Sequence, residues 1–269
     1  MGLTSESIGL NVLRNDFNIE FDREKPIIAL AGNPNTGKST VFNGLTGLRQ
    51  HTGNWPGKTV TQARGLFKYK DQDFMIVDLP GTYSLLANST EEKIARDFIC
   101  FARPDATIVV TDATNLERNL NLVLQVLELT NKVIVCVNLM DEARRKNIKI
   151  DIEQLKDKLK IPVVPTVARD GKGLKQLKET VYQMYNNLIE FSPIKITYSK
   201  QIEDAVDQII PILKNNMSGL TGKLNLRWLA LRLIEGDQTI LESINKYQLN
   251  FEADLNQYKE GEVQTDGIS

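Results

Sequence analysis

From Pro26 to Leu188, short apolar and often β-branched runs alternate with longer stretches of helical periodicity. Ile27–Ala31, Gly65–Tyr69, Phe74–Leu79, Thr107–Thr111, Val133–Asn138 and Ile161–Pro165 read as strands. Several of these are apolar almost throughout, as strands covered on both faces are. Ser39–Leu45 reads as a short helix. Glu117–Leu129 sets Leu120, Val123, Leu124 and Leu127 on one stripe, and Leu174–Leu188 does the same with Leu174, Leu177, Val181 and Leu188. Strands alternating with helices imply a doubly wound α/β fold. Only Lys70-Asp71-Gln72-Asp73 separates the second strand from the third, too few residues for a crossover helix. That pair is therefore expected as one antiparallel hairpin in an otherwise parallel, six-stranded sheet.

The pattern changes after Phe191-Ser192-Pro193. Lys200–Lys214, Leu224–Glu235 and Ile240–Tyr258 all read as helix, with Ile202, Val206, Ile209 and Leu213 on one face of the first. Pro211 is expected to kink that first helix or cut it short. The expected organisation is an N-terminal extension over 1–24, an α/β domain over 25–190, a small helical subdomain over 194–260 and a frayed tail over 261–269.

Composition narrows the class. The chain has 269 residues, 33 Lys+Arg against 34 Asp+Glu, and 41% hydrophobic residues, the make-up of an ordinary globular protein. A net charge of −1 argues against an electrostatic grip on nucleic acid, so no nucleic-acid partner is expected. The two cysteines, Cys100 and Cys136, lie in apolar runs and suit a reducing compartment. The first 24 residues lack a signal-peptide apolar stretch, and the best apolar runs are about five residues where a membrane helix needs ~20.

Candidate chemistry begins after the first strand. Gly32-Asn33-Pro34-Asn35-Thr36-Gly37-Lys38-Ser39 fits G-x-x-x-x-G-K-[ST], a loop whose backbone N–H groups and following helix N-terminus cradle phosphates. Lys38 would reach the β- and γ-phosphates, Ser39 would ligate Mg²⁺, and Thr40 is expected among the nucleotide-binding residues. Asp78-Leu79-Pro80-Gly81 ends a strand at a spacing that lets Asp78 hold Mg²⁺ and the Gly81 N–H touch a γ-phosphate. Asn138-Leu139-Met140-Asp141 offers a carboxylate to the ring N–H and exocyclic amine of guanine, a donor pair that adenine lacks. Thr166-Val167-Ala168-Arg169 would add the Ala168 N–H for the guanine carbonyl, with Val167 beside it. Together these four elements, in this order, form the signature of a GTPase with a Ras-like fold.

Five strings carry a closer resemblance. Arg49-Gln50-His51-Thr52-Gly53-Asn54-Trp55-Pro56-Gly57-Lys58-Thr59-Val60, the segment from Asp78 to Leu85, and Asp112-Ala113-Thr114-Asn115-Leu116-Glu117-Arg118-Asn119-Leu120 resemble the ferrous iron transport protein B family, FeoB. So do Arg227-Trp228-Leu229-Ala230-Leu231 and Glu235-Gly236-Asp237. The resemblance implies the N-terminal cytoplasmic G domain and helical subdomain of a bacterial membrane Fe²⁺ transporter. The permease would be a further part of the same polypeptide, with iron transported there and not bound here. It also implies that Thr59 completes the Mg²⁺ shell in the GTP state and that Asn35 holds a K⁺ ion beside the phosphates. Oligomeric state is left open.

Some positions depart from the general pattern. Thr82 stands where many GTPases carry a water-orienting Gln, which leaves slow hydrolysis or a water held by first-switch backbone near Trp55–Gly57. Leu139 replaces the Lys of N-K-x-D, and Val167 a common Ser; both point to modest nucleotide affinity. His51 reads as a solvent-facing loop residue, Trp55 as exposed, and Trp228 as core. Two rival readings stand beside GTP hydrolysis coupled to Fe²⁺ uptake: a non-catalytic guanine-nucleotide sensor gating a channel, and a ribosome- or RNA-linked GTPase.

Overall fold

The middle of the sheet is a strand with no polar side chain. In the computed structural model, which describes residues 17, 25–48, 50–216 and 224–246, β1 (Ile27–Gly32) is buried at every position. Burial on both faces follows from its place in the sheet. With β2 (Gln50–Asn54), β3 (Thr61–Tyr69), β4 (Gln72–Asp78), β5 (Ala106–Asp112), β6 (Val133–Asn138) and β7 (Val163–Pro165), the order is β2-β3-β4-β1-β5-β6-β7. β1 pairs in parallel with β4 on one side and β5 on the other, so the chain leaves β1 at a topological switch point. The pairs β5–β6 and β6–β7 are also parallel; β2–β3 and β3–β4 are antiparallel.

The sheet has seven strands, not the expected six. The additional strand is β2, whose five residues are all exposed and mostly polar; it pairs only with β3, from Gln50↔Gly65 to Asn54↔Thr61. β3 accordingly starts at Thr61 and not at Gly65. His51 is exposed, as expected, but as a strand residue opposite Arg64.

α1 (Lys38–Thr46) and α6 (Leu174–Tyr185) cover one face of the sheet. Val41, Phe42 and Leu45 from the first, and Leu177, Val181 and Met184 from the second, join Ile28, Leu30, Phe74, Ile108 and Val110 in one core. α2 (Thr90–Asp97), α3 (Leu116–Leu129), α4 (Met140–Arg145) and α5 (Ile152–Leu159) complete the connections, with a π-helical turn at Phe98–Ala102. Both cysteines are buried thiols outside any disulfide; burial pushes the Cys136 thiol up to about 12, so it serves as packing and not as a nucleophile.

The chain divides into two compact units, 24–99 with 104–196, and 1–23 with 100–103 and 197–269. In the second, α7 (Lys200–Asn216) and α8 (Leu226–Ile234) are followed by helical residues 238–246. Pro211 does not cut α7 short, since the helix runs through it to Asn216. The Arg227 guanidinium grips both Glu203 carboxylate oxygens at 2.5 and 2.7 Å, and Trp228 is buried as expected. The N-terminal extension, the C-terminal tail and the last helix beyond 246 lie outside the described residues, save for Phe17.

The turn from Thr166 to Gly173 is built tightly. Val167 and Lys172 exchange backbone hydrogen bonds of 3.1 and 3.2 Å, a 3-10 turn spans Ala168–Asp170, and Gly173 has φ +82°. A Cβ on Gly173 would fall 2.3 Å from the Pro165 carbonyl oxygen. Gly173→Ala is therefore expected to cost about 1–3 kcal/mol, seen as a Tm several degrees lower in thermal unfolding. An unchanged Tm would mean that the turn opens without loss.

Candidate nucleotide-binding site

The residues singled out in the sequence lie at the carboxyl ends of the parallel strands, where open α/β sheets bind ligands. β1 ends in the loop Asn33–Gly37, β4 ends at Asp78, β6 ends at Asn138, and Thr166 follows β7. The pairings Leu30↔Asp78 and Asp112↔Asn138 bring these ends to one rim of the sheet.

At the phosphate end, Asn35 (φ +66°) and Gly37 (φ +79°) take left-handed backbone, and α1 starts at Lys38. Asn35, Ser39 and Thr40 are exposed; Asn33 and Thr36 are buried, with the Thr36 hydroxyl donating to the Asn33 carbonyl at 2.9 Å. Both polar atoms of the Asn33 amide are buried without a hydrogen-bond partner. The Lys38 ammonium is paired with the Asp78 carboxylate. Burial raises the Asp78 carboxyl above its ordinary value, while the Lys38 charge and hydrogen bond pull it down. Ser39 and Asp78 are hard oxygen donors suited to Mg²⁺. That Asp78, half-hidden from water, already holds a cation in Lys38 fits a carboxylate built to face positive charge. For K⁺, the exposed Asn35 amide supplies an oxygen of the right kind.

The segment after Asp78 packs on the phosphate loop. The Thr82 N–H donates to the Gly32 carbonyl at 3.2 Å, and a Cβ on Gly81 would lie 3.5 Å from Pro34 N. The first-switch residues Gly57 and Thr59 lie at the exposed tip of the β2–β3 hairpin, and neither hydrogen-bonds to the phosphate loop among the described residues. Trp55 corrects its reading: it is buried at 2% exposure, with its ring edge-on to Phe98 at 5.6 Å. The flanking polar residues concealed this, because the burial comes from a ring distant in sequence.

At the base end, Asn138 is buried and fully used. Its Nδ2 donates to the Thr36 carbonyl at 3.0 Å, and its Oδ1 accepts from the Ala168 N–H at 3.0 Å and the Thr166 hydroxyl at 3.1 Å. The Ala168 N–H, expected for a guanine carbonyl, is thus engaged by Asn138, and the Val167 N–H by Lys172. Leu139 (φ +63°) turns the chain from β6 into α4. Asp141, in the first turn of α4, accepts from Arg169 Nη2 at 2.6 Å. Desolvation pushes the Asp141 carboxyl up, but the backbone N–H groups of Asp141 and Glu142 and the Arg169 and Arg145 guanidinium groups outweigh it and hold the carboxyl below its ordinary value. Sequence reasoning gave Arg169 no role; its one signal was the cation missing at Leu139.

Residues 26–181 match the family model for ferrous iron transport protein B, and residues 198–264 match that for the FeoB cytosolic helical domain. The Fe(2+) transporter FeoB of Escherichia coli (strain K12) is 40% identical over 220 residues, which are 80% of this chain and 27% of that protein. An Fe(2+) transport protein A/Fe(2+) transporter FeoB fusion protein of Porphyromonas gingivalis is 41% identical over 215 residues, 78% of this chain and 25% of that protein. The chain thus spans about a quarter of the length of these relatives. Among solved structures, the cytosolic domain of the T. maritima FeoB iron transporter in a GDP form is 34% identical with a TM-score of 0.74, covering 90% of this chain and 98% of that one. A GMPPNP form of the same domain is also similar, at 34% identity and TM-score 0.73, covering 89% of this chain and 98% of that one.

The Lys38–Asp78 pair yields a pH test. A carboxyl raised by burial opposes folding once ionised; that penalty is absent below the unfolded pKa, grows between the unfolded and the raised folded value, and is fully present above the folded value. Lys38→Met removes the offsetting cation, so the nucleotide-free chain is expected to lose about 1–3 kcal/mol at pH 7 and less near pH 4. Adding Asp78→Asn should restore most of that loss. Denaturant unfolding at both pH values measures it, and equal losses at the two would dissociate the penalty from Asp78.

Proposed function

This chain belongs to the ferrous iron transport protein B family, and from that premise we propose that it binds and hydrolyses GTP as the cytoplasmic nucleotide module of a bacterial membrane Fe²⁺ transporter. The permease part of the polypeptide lies outside this chain, and Fe²⁺ is its cargo. The observation that carries the proposal is the juxtaposition on one sheet rim of a phosphate loop, the Lys38–Asp78 pair and the Asp141 carboxylate, with Asn138 joining the loops between them.

In this reading, Gly32 to Thr40 wrap the phosphates with backbone N–H groups, and Lys38 turns from Asp78 to the β- and γ-oxygens. Bound Mg²⁺ would supply charge neutralisation there, held by Ser39 and Asp78, with Thr59 joining in the GTP state. Asn35 would hold K⁺, which supplies positive charge near the β–γ bridge. Asp141 accepts from the two guanine N–H groups. The Gly81 N–H meets the γ-phosphate, and backbone at Gly57 orients the water, since Thr82 has no Gln-like reach. The GDP and GMPPNP forms of the T. maritima relative support the ligand class.

A second reading has its own support. Thr82 is buried and its N–H is tied to Gly32, so no side chain following Gly81 is poised over a γ-phosphate. That arrangement suits a sensor that responds to binding alone. Single-turnover assays with Mg²⁺ decide between them: GTP cleavage faster in K⁺ than in Na⁺, with ATP inert and the K⁺ advantage lost in Asn35→Ala, is expected for the enzyme. Negligible cleavage in K⁺ would leave only the sensor. Asp141→Asn should weaken GDP about 10–100-fold, the worth of a charged hydrogen bond in the base site; unchanged affinity would sink the guanine assignment.

A further inference from the structure

Two cations approach one oxygen of the base-reading carboxylate. Arg169 Nη2 lies 2.6 Å from Asp141 Oδ2 and Arg145 Nη2 lies 3.4 Å from the same atom. They are not equivalent. Arg145 is also paired with Glu142 on its own helix, whereas Arg169 comes from the separate turn after β7. Asp170 stands behind the guanidinium, its Oδ1 3.5 Å from Arg169 Nε. The turn that carries Arg169, closed by the Val167–Lys172 bridge and pinned at Gly173, sets where its backbone stands, and the Asp141 and Asp170 carboxylates hold the guanidinium.

Stability does not account for the arrangement. The Arg169 side chain is 65% exposed and that of Asp141 22%, and ion pairs so open to water contribute little to folding. The arrangement makes sense as preorganisation. A carboxylate that must receive two N–H donors in one plane gains from being fixed beforehand, and a planar guanidinium on one oxygen fixes it better than a point charge.

Taking the site to be a guanine site as proposed above, we propose that Arg169 is its specificity-determining positioning residue: it locks the Asp141 carboxylate in the orientation that accepts both guanine N–H donors. It thereby supplies from the loop after β7 the cation that Leu139 lacks. A base with both donors gains most from the lock; one with a single donor gains less.

The test is the affinity of the whole chain and its variants for GDP, inosine diphosphate and ADP, with thermal unfolding confirming that each variant is folded. Inosine diphosphate keeps the ring N–H of guanine but lacks the exocyclic amine. Arg169→Ala is expected to weaken GDP about tenfold and inosine diphosphate about two- to threefold, so the preference for GDP narrows. Arg169→Lys should recover part of that preference. Equal losses for both nucleotides, or no loss for either, would overturn the positioning role. A native chain that binds GDP no more tightly than ADP would overturn the guanine reading itself, a result separate from any effect of Arg169.

Discussion

One buried amide holds the site in register. Asn138 reaches forward to the Thr36 carbonyl in the phosphate loop and backward to Thr166 and Ala168 in the loop after β7. Every polar atom it spends is buried, so losing the side chain would take this partner from the Thr36 carbonyl and the Ala168 N–H, each a penalty of about 1–3 kcal/mol, while the Thr166 hydroxyl would keep the Val137 carbonyl and Cys136 Sγ. The same amide explains a glycine. A Cβ on Gly37 would fall 2.4 Å from Asn138 Nδ2, so the phosphate loop can approach β6 only if residue 37 has no side chain. The motif glycine and the Asn of the base-reading motif are thus two halves of one contact.

Charge is arranged around that frame. Lys38 pairs with Asp78 and Arg169 with Asp141, so each charge faces an opposite one. The two pairs differ in setting: the first is largely buried and its carboxyl is raised by desolvation; the second is open and its carboxyl is held low. On the proposed reading, an arriving nucleotide with its divalent ion re-partners the buried pair, giving the lysine a phosphate and the carboxylate a metal. At the open pair the base needs only to join, since a carboxylate has lone pairs enough for a guanidinium and two ring donors. Leu139 fits this division. Its Cδ2 lies 4.0 Å from where a Cβ on Gly37 would stand, which places this uncharged side chain beside the loop, the cation in the proposed arrangement being Arg169.

Much of this was legible because it is local. The phosphate loop is a contiguous string whose glycines and lysine carry their own explanation, and β1, β5 and β6 are apolar enough to declare burial on both faces. What escaped depends on partners far along the chain. β2 is polar and exposed throughout, so no alternation marked it; only its ladder to β3 makes it a strand. Trp55 sits among Gly, Asn and Pro and looked exposed, yet Phe98 covers it. Pro211 read as a kink or a helix end, and it is not the end, since α7 continues for five residues beyond it. The Arg169–Asp141 pair joins residues on two different turns, and no spacing rule announces it.

These two kinds of residue also divide the work that the proposed cycle requires. The groups that would read the base and the β-phosphate stand on loops tied by Asn138, whose own bonds are buried. The groups assigned to the γ-phosphate do not. Gly57 and Thr59 stand at a hairpin tip that is closed by the Trp55 N–H to Val60 and the Lys58 N–H to Trp55, both at 2.9 Å, and anchored below by the buried Trp55 ring. Thr82 meets the phosphate loop through a single backbone bond of 3.2 Å. Bonds so few can be exchanged without disturbing the core, which is the physical requirement on any segment that must distinguish GTP from GDP. A fold that bound the whole nucleotide with equal rigidity would hold both forms alike and could report neither.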